Sequence, residues 1–210
     1  KDGSSRFESK WGSFYSGALA WTVSKEDFLE DADWLNNLKI RGSYGTSGND
    51  RISYGQTETR YNTDFVPGLD DQTLNLAVSI ANLGNRNITW ETTAQLDFGL
   101  DMSAFRNRFH MTVDVYKKNT TNLLLNADVS AMSGKETMFQ NLGEVKNKGI
   151  ELQLSADLFK TKKFTWTPSI TLGLNRSEII DLGDNPFRRM SVGLPFQEVA
   201  VLQEGEAFGS

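Results

Sequence analysis

His110 is the only histidine in the chain and stands four positions before Asp114, a spacing that raises the question of a base held by a carboxylate. No serine lies in a Gly-x-Ser-x-Gly turn to act as its nucleophile, and there is no cysteine to replace one. A solvated histidine is the better reading. Asp97-Phe98-Gly99 spells the metal-binding tripeptide of protein kinases, but neither a His-Arg-Asp loop nor a glycine-rich phosphate loop accompanies it. Asp97/Asp101 and Glu151/Asp157 could imitate the carboxylate pair of a glycosidase. On strands, however, four or six residues span about 13–20 Å, whereas such a pair needs roughly 5–9.5 Å. Asp70-Asp71, Asp181…Asp184-Asn185 and Glu30-Asp31…Asp33 offer oxygen ligands without a spacing that defines a coordination number, and are assigned to solvated surface. The expectation is therefore no catalytic residue, no metal site, no cofactor and no enzymatic activity.

Recognition chemistry is better represented. The stretch from Tyr54 to Leu69 sets aromatic planes beside amides and a carboxylate: Tyr54, Tyr61 and Phe65 with Gln56, Asn62 and Asp64. Rings for stacking next to hydrogen-bonding groups suit a sugar or a peptide, so Tyr54, Tyr61, Asp64 and Phe65 are the expected substrate contacts, in competition with a loop folded on its own aromatics. The net charge of −5, from 22 basic and 27 acidic residues, argues against a nucleic-acid partner. The absence of cysteine excludes disulfides and thiolate metal sites. Mean hydropathy is −0.44 and no apolar run approaches a spanning helix.

The elements that must carry these residues are strands. Leu96, Phe98, Leu100, Met102 and Ala104 alternate with Asp97, Gly99, Asp101 and Ser103. Phe109, Met111, Val113 and Val115 alternate with His110, Thr112 and Asp114; Ile150 to Leu158 and Phe164 to Leu174 repeat the pattern. The apolar phase carries no charge, and the opposite phase carries no large apolar side chain. Weaker strands run over 15–23 and 38–44. Between them Ser24-Lys25-Glu26-Asp27 matches a capping box, with Phe28, Leu29, Ala32 and Leu35 as the stripe of a short helical turn ending near Asn36-Asn37.

The connections alternate in length. Those at 105–108 and 159–163 are short and 24–37 is moderate, while those after Gly45, Tyr116 and Asn175 run to about forty, about thirty and at least thirty residues. Short turns at one end and long loops at the other are the habit of outer-membrane barrels. Phe164 to Leu174 is 11 residues long, within the roughly 9–11 that a tilted strand needs to cross hydrocarbon. Trp21, Tyr44, Trp90, Tyr116 and Trp166 fall near strand ends and are assigned to interfacial girdles. In this reading the apolar phase meets lipid and Asp97, Asp101, Asp114, Glu151 and Asp157 face a wet lumen. About six strands are too few to close a barrel, which takes about eight. The chain, beginning Lys1-Asp2-Gly3 and ending Ala207-Phe208-Gly209-Ser210, is thus expected to be an antiparallel arc of something larger.

Several stretches resemble the SusC/RagA family of TonB-dependent outer-membrane transporters of Bacteroidetes. Leu38-Lys39-Ile40-Arg41-Gly42-Ser43-Tyr44-Gly45-Thr46-Ser47-Gly48-Asn49 is similar to a family strand, and Leu83-Gly84-Asn85-Arg86-Asn87-Ile88-Thr89-Trp90-Glu91 to the segment that leads into the next. Tyr116 to Leu124, Asn141 to Glu151 and Gly205 to Ser210 continue the resemblance in the family's order. It implies an all-β fold, a barrel of about 22 strands with an N-terminal plug, and a location in the cell outer membrane. It also implies import of oligosaccharides or peptides, driven through TonB and assisted by a SusD-like surface lipoprotein. Residues 1–210 would then be part of the barrel domain, with plug and barrel C-terminus outside them. The rival is a secreted β-sandwich carbohydrate-binding module, because alternation alone does not say whether the apolar phase meets lipid or a second sheet; a β-rich glycoside hydrolase domain is weaker.

Overall fold

The computed structural model describes residues 2–3, 7–8, 10–53, 55–67, 74–161, 163–183, 187–191 and 198–207. Its strands in chain order are β1 (Asp2–Gly3), β2 (Trp11–Gly12), β3 (Ser16–Thr22), β4 (Leu35–Asn49), β5 (Arg60–Pro67), β6 (Leu74–Asn82), β7 (Glu91–Ala104) and β8 (Phe109–Thr121). There follow β9 (Leu124–Asp128), β10 (Thr137–Asn141), β11 (Glu144–Ala156), β12 (Phe159–Lys160), β13 (Thr165–Trp166), β14 (Ser169–Asp181), β15 (Phe187–Ser191) and β16 (Glu198–Gln203). A six-stranded sheet in the order β14-β11-β8-β7-β4-β3 dominates, with every neighbouring pair antiparallel. The remaining strands form two-stranded hairpins inserted between or beside those of the large sheet.

The register turns the sequence alternation into continuous rows. One row runs Trp21, Ile40, Leu100, Val113, Leu152, Leu172, and the next Leu19, Gly42, Phe98, Val115, Ile150, Leu174. Both lie on one face, and that face is bare: Leu19 is 84% exposed, Phe98 57% and Leu174 73%. No second sheet covers it among the described residues. The other face carries Arg41, Asp101, Asp114, Gln153 and Thr171, so the face that a soluble sandwich would cover with a second sheet, the apolar one, is the face left bare.

Several sequence expectations are corrected. The helical turn at 24–37 is two 3-10 turns, Val23–Lys25 and Asp27–Leu29, without a side-chain cap. The Glu26 carboxylate instead accepts a 2.7 Å hydrogen bond from Trp21 Nε1, and Asn36 and Asn37 already belong to β4. The strand expected from Phe164 starts at Ser169 and continues to Asp181. Phe164 lies in the turn of a separate small hairpin, β12–β13, in which Phe159 and Trp166 stack at 5.8 Å. Between the two ladders, Thr167 Oγ1 donates to Asp157 Oδ1 at 2.7 Å, and Pro168 has no N–H to offer.

Two of the five girdle aromatics are elsewhere. Tyr116 is on the polar face, over Gly149, donating to Asn175 Oδ1 at 3.2 Å. Trp90 packs edge-on against Phe7 and Phe14, in a cluster with buried Ile52 and Ile88. Trp21, Tyr44 and Trp166 are exposed, as a girdle requires, and Trp34 joins Phe105 at 6.1 Å at the short-turn end.

Candidate functional site

The polar face is a bonded wall. Arg41 on β4 reaches over Gly99 on β7, giving Asp101 two hydrogen bonds of 2.8 and 3.1 Å and Asp114 on β8 one of 3.0 Å. A Cβ on Gly99 would stand 2.5 Å from the guanidinium carbon and 2.6 Å from Asp114 Oδ1, so only glycine leaves space for this crossing. Asp97 accepts from Ser43 at 3.3 Å and from Gln95 at 2.8 Å, and the Thr93 and Thr120 hydroxyls meet at 3.0 Å. Gly149 has the same function for Tyr116, whose ring would lie 2.6 Å from a Cβ there. These cross-links fix where the charges of this face stand.

The ion pairs are half open to solvent, with side chains 31–37% exposed, which limits their worth. Arg41→Gln is expected to lower unfolding stability by about 1 kcal/mol at low salt, less at high salt, because Asp101 and Asp114 then face each other unpaired. Denaturant titration of the refolded protein measures this. The loss should shrink in an Asp101→Asn background, as a double-mutant cycle requires.

His110 does not meet Asp114. Its Nε2 lies 3.0 Å from the Asn107 carbonyl oxygen in the β7–β8 turn, while Asp114 is engaged by Arg41. No catalytic pairing exists there.

At the opposite end from that turn, hairpins β5–β6 and β9–β10 cap the wall. They are tied down by asparagines in the segments that gave the family resemblance. Asn141 Nδ2 donates to the carbonyl oxygens of Thr89 and Asn122, both at 2.9 Å, and its Oδ1 accepts from Thr89 N–H at 2.7 Å. Asn85 Nδ2 donates to Phe139 O at 3.0 Å. Sequence reading used these positions only as a signature; their role is to knit loop to loop.

Of the expected substrate contacts, Tyr54 lies outside the described residues. Tyr61, Asp64 and Phe65 are on β5. Tyr61 and Phe65 share one face of the hairpin, about 13 Å apart at the usual rise, exposed by 62% and 70%. Cross-strand neighbours on that face are Ile80 beside Tyr61 and Leu76 beside Phe65, with Val78 between. Asp64 alternates to the other face, with Asn62. The structure therefore brings the two aromatics together with aliphatic partners and separates the carboxylate from them. The segment expected as part of a long loop after Gly45 is thus a hairpin, which the alternation of Leu74, Leu76, Val78 and Ile80 against Asn75, Ala77 and Ser79 could have marked.

A single antiparallel sheet with a bare apolar face, a polar bonded face, short turns at one end and hairpins at the other defines a wall of a membrane-spanning β-barrel. Comparison with known proteins identifies which. A family model described as TonB dependent receptor-like, beta-barrel matches residues 2–203, and the chain belongs to that family. It is 36% identical over 215 residues to TonB-dependent receptor P3 of Formosa agariphila, covering 100% of this chain and 21% of that protein. It is 32% identical over 190 residues to TonB-dependent receptor SusC of Bacteroides thetaiotaomicron, covering 86% and 18%. Its structure superposes on the RagAB peptide importer in the closed-closed state with a TM-score of 0.81 at 28% identity, covering 97% of this chain and 22% of that one. The chain thus spans about a fifth of the length of these relatives. It is SusC/RagA-like, all-β, and belongs in the outer membrane. The apolar face accordingly meets lipid, the polar face the lumen, and the hairpin end is extracellular. The β-sandwich alternative is not favoured.

Proposed function

We propose that residues 1–210 form part of the barrel domain of a TonB-dependent importer that takes up an oligomeric nutrient, an oligosaccharide or a peptide. The plug, the remaining strands and the contact with TonB belong to other parts of that protein, and a SusD-like surface lipoprotein acts with it at the extracellular end. The observation that carries this reading is the polar, cross-bonded inner wall surmounted by interlocked hairpins, in a chain similar to SusC and to a peptide importer. The sheet among the described residues has six strands, fewer than a closed barrel needs, which supports assignment to a larger one. Catalysis has no part in it: ligand is captured at the hairpins and lumen, and passage follows rearrangement of the plug.

Within this reading the exposed face of β5–β6, with Tyr61 and Phe65 at its centre, contacts the incoming oligomer, and Asp64 and Tyr54 contribute from the same segment. The test is uptake of labelled oligopeptide and labelled oligosaccharide by cells carrying the full-length transporter. Wild type should import one class. Tyr61→Ala/Phe65→Ala should lower that uptake about tenfold or more, the loss of two aromatic contacts at about 1 kcal/mol each, with the amount of protein in the outer membrane unchanged. Unchanged uptake and affinity would overturn the assignment of these residues; failure of wild type to import either class would overturn the transport reading.

A further inference from the structure

The outer face carries a charge pattern that strand pairing works against. Lys117 on β8 pairs with Lys148 on β11, and Lys148 pairs with Arg176 on β14, so three cations stand side by side across adjacent strands. They share the face and phase of Val115, Ile150 and Leu174, which form the row immediately below. Like charges directly opposite one another destabilise a sheet, and no ion pair or hydrogen bond relieves these three among the described residues. One row further on, Lys146 faces Glu178 and lies 3.5 Å from Glu144. Four basic against two acidic side chains leave a surplus of two positive charges. Lys117, Lys146, Lys148, Arg176 and Glu178 line a single shallow depression.

We propose that this depression binds the phosphate of an anionic lipid in the outer leaflet of the outer membrane. The position favours a lipid over a soluble anion or a protein. The cations sit where the apolar band ends on its extracellular side, which is the level of headgroups, and the exposed rows of Val115, Ile150 and Leu174 lie directly beneath to receive acyl chains. Lysine and arginine stems lie along apolar surface while their heads reach the charged layer. A phosphate held between two lysines and the planar donor fork of Arg176 turns repulsion between neighbours into shared attraction. The inference uses the outer-membrane location of the chain but no part of the transport reading.

The experiment uses the purified full-length transporter in nanodiscs of zwitterionic lipid, with added phosphorylated lipid A, the same glycolipid after enzymatic dephosphorylation, or inorganic phosphate. Bound lipid is counted by native mass spectrometry and the thermal midpoint recorded. Wild type should retain phosphorylated lipid A and gain thermal stability from it, and from neither of the other additions. Lys117→Gln/Lys148→Gln/Arg176→Gln should bind it about a hundredfold more weakly, the loss of three basic side chains at an anionic lipid surface. Without the lipid this variant should be at least as stable as wild type, because the repulsive row is gone; a merely structural role predicts the reverse. Lys148→Gln alone, about fivefold weaker, serves if the triple variant does not fold. Equal retention by variant and wild type, equal binding of the dephosphorylated glycolipid, or the same stabilisation by inorganic phosphate would each overturn the proposal. Because uptake is not measured, a failed transport assay and a failed lipid assay are independent outcomes.

Discussion

Leu152→Arg is expected to cost about 2–4 kcal/mol of folding stability in a bilayer, whereas Gln153→Arg, one residue further along the same strand, is expected to cost only a few tenths. Leu152 pairs with Val113 and Leu172, with Ile150 and Leu154 on either side of it on β11, so its row lies within the lipid-facing band. An arginine there must be desolvated or must drag water and headgroups inward. Gln153 lies between Thr112 and Thr171 on the wet face, where a cation keeps its hydration and has Glu151 on the same side. Equilibrium unfolding of the full-length barrel in lipid vesicles measures both. If the two variants were equally destabilised, the two faces would have been assigned wrongly, since a wet lumen accepts a charge that lipid does not.

That contrast also explains how much of the fold was legible in the sequence. Lipid accepts no charge and the lumen needs no large apolar group, so each wall strand shows its facing wherever it crosses the bilayer. Past the apolar band the signal stops but the ladder does not. On β8 the outward phase changes from Val115 to Lys117, yet backbone pairing runs on to Thr121, because ladder hydrogen bonds are indifferent to side-chain polarity. Phe164 and Trp166 failed in the opposite way. They keep the phase of Ile170, so periodicity fused two ladders that Thr167 and Pro168 separate.

The candidate site was less legible for a related reason. Residue type marks Tyr61, Asp64 and Phe65 but carries no information about face; pairing of β5 with β6 puts the carboxylate on the far side from the rings. A strand-end aromatic such as Tyr116 reads as a girdle residue from sequence, whereas its cross-strand partner Gly149 makes room for the ring on the lumen side. The asparagines of the loop segments act through backbone carbonyls more than fifty residues away in sequence, from Asn85 to Phe139 and from Asn141 to Thr89. Contacts of that kind leave no periodic trace.

Ile179→Ala should produce the largest local effect, a loss of about 2–5 kcal/mol confined to the extracellular end. Ile179 is fully buried although it lies on the inner phase of β14, where lower positions are polar. It joins Val145, Leu182 and Leu202, with Leu123 and Leu125 against them, so β9 and β16 meet the wall through a small apolar core, separate from the cluster around Trp90. Backbone bonds converge on the same residue: its N–H donates to Glu206 O at 3.0 Å and its carbonyl accepts from Gly205 N–H at 2.8 Å. Removing the side chain leaves a cavity bordered by segments outside the six-stranded ladder, and local opening is the cheapest response. Hydrogen exchange should therefore accelerate at Gly205, at Leu142, whose N–H donates to Leu123 O at 2.7 Å, and around Leu125, while Val113 and Leu152 in the bilayer band keep their protection. Uniform loosening of the sheet would mean that the core supports the wall as a whole, and no change at all would mean that the asparagine clasps suffice. The expected outcome, a loosened extracellular end on an intact wall, would separate ordering of the extracellular surface from stability of the barrel.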